Sequence, residues 1–297
     1  MKTIILSDYT GEQLAKREEE RTRDYHKELR DHTAACENWE EISQKEKRKF
    51  RQRVSSRREA LGRAWSGRKP AHLAGSLLGL AFDHVFRRPN IPERPGAEPV
   101  KKMPGREDSI WQSGQDGEQA VEELLGRSLG GDWTCLAGYH AAAGEIDRTL
   151  VGPGGVFAFE IKNASAKVSC DGDVWTTDKY DRYGNRVESG RPMRDNAGRS
   201  PARQLNEAAD VLERVIHRET PGAKVQRIIV LPHERAEIGS ITGLTVGEVV
   251  VLKDWNLNRT LQGGTPLDPE NVACIIAGIQ SSHQSFNHSH RPRRRRR

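Results

Sequence analysis

Apolar residues are sparse and irregular over residues 10–66 and crowd into short periodic runs after residue 114. The first region is dominated by Glu, Lys, Arg and Gln, with no proline or glycine between Glu12 and Leu61. That composition predicts a long polar helix. Its apolar positions (Leu14, Tyr25, Leu29, Trp39, Ile42, Phe50, Val54, Leu61) sustain no heptad. Residues 71–86 are the most apolar stretch of this third and read as a helix too short to span a bilayer. It would pack on the following domain, lie at a membrane interface or mediate self-association. Residues 88–113 are rich in proline and polar residues and read as a linker. A compact domain is then expected from 114 to 280. It opens with a helix over 116–129, with Val121, Leu124 and Leu125 as its buried stripe and Glu118 on the same face. A weak strand follows at 133–139, then a hairpin at 144–163. Residues 166–191 read as one or two short strands with a turn at Gly184-Asn185. Ser200-Pro201 predicts the start of a helix ending near Glu219, with Gln204 in its first turn. Short strands at 227–231 and 247–252, a last helix at 265–280 and a disordered tail over 281–297 complete the reading.

Composition changes this picture at the ends. Only 35% of the 297 residues are hydrophobic and 30% are charged, so not all of the length can sit in one core. The net charge of +6 favours an anionic partner. Between Glu12 and Glu41 there are ten acids and six bases, whereas Lys45 to Lys69 holds eleven bases and two acids. The basic half would touch nucleic acid or anionic lipid, or simply form a solvated helix face. The last seven residues contain six arginines, Arg293, Arg294 and Arg295 among them, a run that binds phosphate backbones without reading sequence. In the 166–191 stretch Trp175, Tyr180 and Tyr183 alternate with Lys179, Arg182 and Arg186, a mixture suited either to stacking bases and touching phosphates or to cross-strand pairing. The four cysteines are far apart and form no Cys-x-x-Cys, which argues against a structural zinc site and fits a reducing cytoplasm. No run of 18 apolar residues exists, so no spanning helix is expected.

The chemistry concentrates in the hairpin. Asp147, Glu160 and Lys162 stand in strands that otherwise want to be buried, and buried charges are costly unless paired or metal-bound. Phe157, Phe159 and Ile161 share one face of the second strand, which turns Glu160 and Lys162 to the other. If Gly152–Gly155 is a four-residue loop, facing residue numbers sum to 307 and Asp147 lies opposite Glu160, with β-carbons about 4.5–5.5 Å apart. Two carboxylates so placed repel unless a divalent cation sits between them, and oxygen ligands suit Mg²⁺ or Mn²⁺. Lys162 would lie one pleat along, able to hold a water or a phosphate oxygen. The layout fits metal-assisted phosphodiester hydrolysis; the alternative is an ion-paired cluster on a sheet surface.

The order Gly117-Glu118, Glu145-Ile146-Asp147, Gly152-Pro153-Gly154-Gly155-Val156-Phe157, Glu160-Ile161-Lys162-Asn163, and then Gln204 within Pro-Ala-Arg-Gln-Leu-Asn-Glu-Ala, resembles the nuclease-related domain (NERD) family of the PD-(D/E)XK nuclease superfamily, over about residues 114–235. The resemblance implies an α/β fold of restriction-endonuclease type, a central mixed sheet flanked by helices. It implies Asp147 and Glu160 as metal-binding acids joined by Glu118, Lys162 as the catalytic lysine, and Gln204 as a polar residue near the phosphate. Ile146 replaces the proline of the superfamily motif. The expected function is a Mg²⁺- or Mn²⁺-dependent nuclease acting on DNA in the cytoplasm. The alternative is a nucleic-acid-binding or scaffold module that keeps the fold without turnover, with self-association through the N-terminal helical region.

Overall fold

A computed structural model of the chain describes residues 1–67, 74–75, 77–79, 81 and 88–290. The anticipated apolar helix at 71–86 falls mostly outside these residues, and the arginine run at 291–297 falls wholly outside them. The chain divides into two compact units, one of residues 1–16 and 104–297, the other of residues 17–103.

The first unit is built on a six-stranded mixed sheet. Its strands are β1 (Lys2–Ile5), β2 (Thr134–Ala141), β3 (Gly144–Gly152), β4 (Gly155–Ile161), β8 (Val225–Leu231) and β10 (Glu248–Val251), adjacent in that order. β2, β3 and β4 form an antiparallel meander, while β1 joins β2, and β8 joins both β4 and β10, in parallel. The continuous apolar character of β4 and β8 follows from helices covering both faces. On one face Phe157, Phe159, Ile228 and Val230 pack with Val121 and Leu125 of α2 (Arg106–Ser128) and Leu257 and Leu261 of α4 (Leu257–Gln262). On the other, Val156, Ala158, Ile229 and Leu231 pack with Leu205, Ala209, Leu212 and Ile216 of α3 (Pro201–Glu219) and Ile275 and Ile279 of α5 (Pro269–His290). α3 begins where the sequence predicts. Ser200 accepts from the Arg203 amide at 3.1 Å as its N-cap, and Pro201 needs no amide partner in the first turn.

A second, four-stranded sheet stands beside the first in order β7 (Arg186–Pro192), β6 (Val174–Tyr180), β5 (Lys167–Asp171) and β9 (Glu237–Thr242). Residues 166–191 thus supply three strands, not one or two. Trp175 is 1% exposed and belongs to the core, so it is not available to stack on a base. The β6–β7 turn is held by Asp181, whose Oδ1 accepts from the amides of Tyr183 and Asn185 at 2.8 and 2.9 Å, with Gly184 at φ +82°.

Three boundaries differ from expectation. α2 starts at Arg106, ten residues before the expected helix, because Asp108 in its first turn accepts from the Gly105 amide at 2.6 Å and no proline follows Pro104 until the helix has ended. Residues 281–290, expected as tail, continue α5, and His283 is 3% exposed. Its Nδ1 accepts from the His140 amide at 3.1 Å and its Nε2 meets the Leu6 carbonyl at 3.1 Å. Residues 2–5 form an edge strand of the main sheet, a role the sequence reading did not assign them.

α1 (Tyr9–Ser66) matches the expected long polar helix. In the second unit the proline-rich residues lie along it rather than free. The Trp39 indole donates to the Pro92 carbonyl at 2.9 Å, His32 meets the Gly96 carbonyl at 2.9 Å, and Lys101 pairs with Glu18 at 2.6 Å. Each proline removes an amide from this stretch but keeps its carbonyl, and Trp39 and His32 of the helix use two of the carbonyls. No helix among the described residues is long and apolar enough to cross a membrane.

Candidate active site

The hairpin turn is two residues, Pro153-Gly154, closed by the pair Gly152–Gly155. Facing residues still sum to 307, because shortening the loop by one residue at each end leaves the register unchanged. Gly155 has φ +124°, and a β-carbon there would lie 2.9 Å from the Thr265 backbone, so both conformation and space demand glycine.

The ladder runs from Gly152–Gly155 to Arg148–Phe159 and stops one pair short of Asp147. There the Asp147 side chain takes over: its Oδ2 accepts from the Ile161 amide at 2.6 Å. β3 is irregular at this point. Ile146 packs on the α3 side and Leu150 on the α2 side although they are four residues apart, and Gly138 on β2, with φ +68°, lies between the partners of Ile146 and Arg148. Such a break in alternation re-aims a side chain at the end of a strand.

Glu160 is 3% exposed, and its Oε1 lies 2.6 Å from Lys162 Nζ. The ammonium is also 3.3 Å from Gln204 Oε1, and the Gln204 amide nitrogen donates to the Arg199 carbonyl at 3.1 Å. Asp147 has no ion-pair partner among the described residues. Burial, then repulsion from Glu160, pushes its carboxyl well above the ordinary value, against the opposing pull of Lys162. Burial raises the Glu160 carboxyl as well, despite Lys162. Lys162 resists the burial that would lower it, because Glu160 and Asp147 hold its ammonium above the ordinary value. The Lys162 side chain keeps 29% exposure, so the cluster is reachable from solvent.

The structure therefore brings Asp147, Glu160, Lys162 and Gln204 together. Glu118 is held otherwise. Its Oε2 accepts from Arg148 Nη1 at 2.8 Å, and its Oε1 accepts from the Thr10 hydroxyl at 3.1 Å. Its charge still acts on the Asp147 carboxyl, raising it. Arg148 is the residue the sequence reading passed over. It is 8% exposed and bonds Glu118, Glu122 and the Asp147 carbonyl. The signal was present, since an arginine between Ile146 and Leu150 in a buried strand must be paired. Arg199 was also missed. It pairs with Asp195 and Glu207 at 2.8 and 3.1 Å, donates to the Ala143 carbonyl, and lowers the Glu160 carboxyl by its charge. Lys179 pairs with Glu188 at 3.6 Å across β6 and β7, and Arg182 stacks 4.7 Å over the Tyr183 ring. Arg186 is exposed at the start of β7. Arg293, Arg294 and Arg295 lie outside the described residues.

Asp147 and Glu160 are hard oxygen donors that could hold a dication; burial raises both carboxyls, and repulsion from Glu160 raises Asp147 further, a condition that a bound dication relieves. No group of three His, Cys, Asp or Glu side chains converges among the described residues, so these two carboxylates are the protein's acidic contribution as the side chains stand.

Compared with known proteins, residues 113–232 match the family described as Nuclease-related domain. No curated protein and no solved structure matches the chain. The matched segment runs from α2 through the hairpin and α3 to the end of β8, and so contains all four of the clustered side chains. Over residues 113–232 the chain is therefore similar to the nuclease-related domain family, which belongs to the PD-(D/E)XK-like nuclease superfamily.

Proposed function

We propose that this domain hydrolyses phosphodiester bonds of DNA, with Mg²⁺ or Mn²⁺ held by Asp147 and Glu160. The observation that supports the reading best is the meeting of a buried carboxylate, a second carboxylate with no ion-pair partner among the described residues, and a lysine 2.6 Å from the first, at a solvent-reachable strand end. A bound divalent cation would lower the pKa of a coordinated water and neutralise charge on the phosphate. Lys162 carries its proton at neutral pH because two carboxylates hold its ammonium above the ordinary value, so it serves as a donor. It orients the attacking water and stabilises the negative charge that develops on the phosphoryl oxygens. Gln204 fixes the ammonium through its amide oxygen, while its own nitrogen is tied to the Arg199 carbonyl. The four cysteines are unpaired thiols, which suits the reducing cytoplasm in which we place the reaction.

A second reading, a nucleic-acid-binding module without turnover, draws on the engagement of Glu118 with Arg148, which leaves two acids in the cluster. One experiment separates the two. DNA cleavage is measured with Mg²⁺ and with Mn²⁺ for the full chain, Glu160→Ala and Lys162→Ala. The nuclease reading expects cleavage by the wild type and a loss of about 10²–10³-fold or more in each variant, the scale on which removal of one transition-state donor is felt. Equal DNA binding by all three proteins with no cleavage under either metal would establish the binding module instead.

A further inference from the structure

Beyond Lys162 the chain enters a hollow of about 390 Å³ bordered by the end of β4, the β6–β7 ribbon and the start of the loop after β8. Its border starts at Asn163, the residue next to Lys162, and at Ser113 of α2, whose carbonyl accepts from the Asn163 side chain at 2.7 Å. Four of its lining residues are basic, Lys179, Arg191, Arg194 and His233, and none is acidic. In a chain with 42 Asp and Glu residues, a concave surface free of carboxylate beside a cluster of two carboxylates is a marked separation of charge. Lys179 and Arg191 share Glu188, at 3.6 and 3.4 Å, as a partner on the ribbon. Arg194 is exposed and has no carboxylate partner among the described residues. His233 accepts from the Arg235 amide at its Nδ1, at 3.1 Å, which leaves Nε2 as the donor of the neutral ring.

We propose that this hollow is the track for the phosphodiester backbone on one side of the scissile bond, with Arg194 and His233 as its direct phosphate contacts. The inference rests on the nuclease reading for its placement next to Lys162 and adds the route by which the polymer leaves the site. An arginine with no carboxylate partner among the described residues and an imidazole whose Nδ1 is already engaged, leaving Nε2 to donate, suit phosphate oxygens that carry charge without sequence information. Carboxylate-free walls avoid repelling the polyanion, whereas the acids at Asp147 and Glu160 act only where cleavage occurs. The ribbon position also gives Lys179 a function different from that of Arg182 and Arg186. Lys179 faces the hollow, while the other two do not line it.

The test uses the full chain with Arg194→Glu, with His233→Ala, and with Arg218→Glu as a control of equal charge change in the last turn of α3, away from the hollow. Binding of labelled duplex DNA, single-stranded DNA and RNA of one length is measured in EDTA, so that cleavage does not enter. For at least one of the three polymers, Arg194→Glu is expected to weaken binding about tenfold and flatten the salt dependence by about 0.7–0.9 in slope, one phosphate contact. His233→Ala is expected to weaken the same polymer by a smaller factor, and Arg218→Glu to leave it unchanged. The polymer most affected is the one that occupies the track. Equal effects of Arg194→Glu and Arg218→Glu on all three polymers would overturn the proposal, and would do so whether or not the wild type cleaves DNA. Absence of cleavage with a selective Arg194 effect would keep the track and overturn only the hydrolysis.

Discussion

Asp147 is an aspartate whose charge the fold resists. Its carboxyl is raised in the folded state, so its stabilising contribution is complete below the ordinary value of 3.8 and is lost as pH rises through the folded value. Asparagine at this position keeps an oxygen for the Ile161 amide and removes the charge. In EDTA at neutral pH, Asp147→Asn should therefore be more stable than the wild type by about 0.5–2 kcal/mol, the gain common for a single stabilising substitution. The advantage should shrink as pH falls toward 4, read from urea unfolding across that range. Added Mg²⁺ should stabilise the wild type and leave the variant unmoved, because only a state that binds the cation gains from it. Much of this residue's role was legible beforehand. Strand parity and the loop count place it opposite Glu160, and a loop shorter by one residue at each end preserves the count. The capture of the Ile161 amide was not legible, because it depends on β3 losing its alternation near Gly138, which no pattern of apolar residues announces. Glu118 shows the reverse failure. Its spacing from Val121 and Leu125 puts it on the inward side of α2, but spacing is silent about Arg148, the partner that meets it there.

Elements bring these residues together through a few close approaches. α2 presses on the exit of β4 at Gly117, where an added β-carbon would lie 2.8 Å from Asn163 Cβ and 3.0 Å from Pro232 Cγ. Gly117→Ala should cost about 1–3 kcal/mol by overpacking, measured as a shift in urea midpoint. Because Asn163 is the neighbour of Lys162, the proposed hydrolysis should also be lost in this variant at temperatures where it remains folded. Helix α3 and strand β8 could be placed from sequence because their caps and apolar periods agree with their packing. Three features escaped for different physical reasons. The start of α2 is set by Asp108 reaching back to Gly105, in a stretch whose prolines suggest a linker. The β5–β6–β7 strands are short, and much of β7 is exposed, so the alternation that marks a half-buried strand is weak. The last turns of α5 are rich in Ser, His, Gln and Asn and resemble a tail, yet His283 is buried against Leu6 and His140.

At the scale of the molecule, the family match at 113–232 leaves out parts that the fold requires. β1 covers the edge of β2 over four residue pairs, the Met1 amino group donates to the Leu129 carbonyl at 3.0 Å, and Tyr9 packs edge-on against Trp111 with ring centres 5.6 Å apart. Deleting residues 1–8 should lower the melting temperature by about 4–8 °C, the shift that roughly 2 kcal/mol produces in a domain of this size. An exposed β2 edge should add concentration-dependent aggregation, read by light scattering alongside the melt. The sequence could not disclose this membership, since a four-residue strand carries too little pattern to name a partner more than a hundred residues away. The same contacts bear on the order of assembly. Leu6 meets His283 across a separation of 277 residues, and β1 waits for β2, which is made only after the whole of α1. During synthesis from the N-terminus, the edge strand can pair once β2 has been made, whereas the histidine latch can close only when nearly all described residues have left the ribosome. The β3–β4 hairpin, by contrast with that latch, pairs residues that are close in sequence and is complete much earlier. A nascent chain of this protein thus carries its buried carboxylates on an unfinished scaffold, and the last turns of α5 decide when the domain becomes whole.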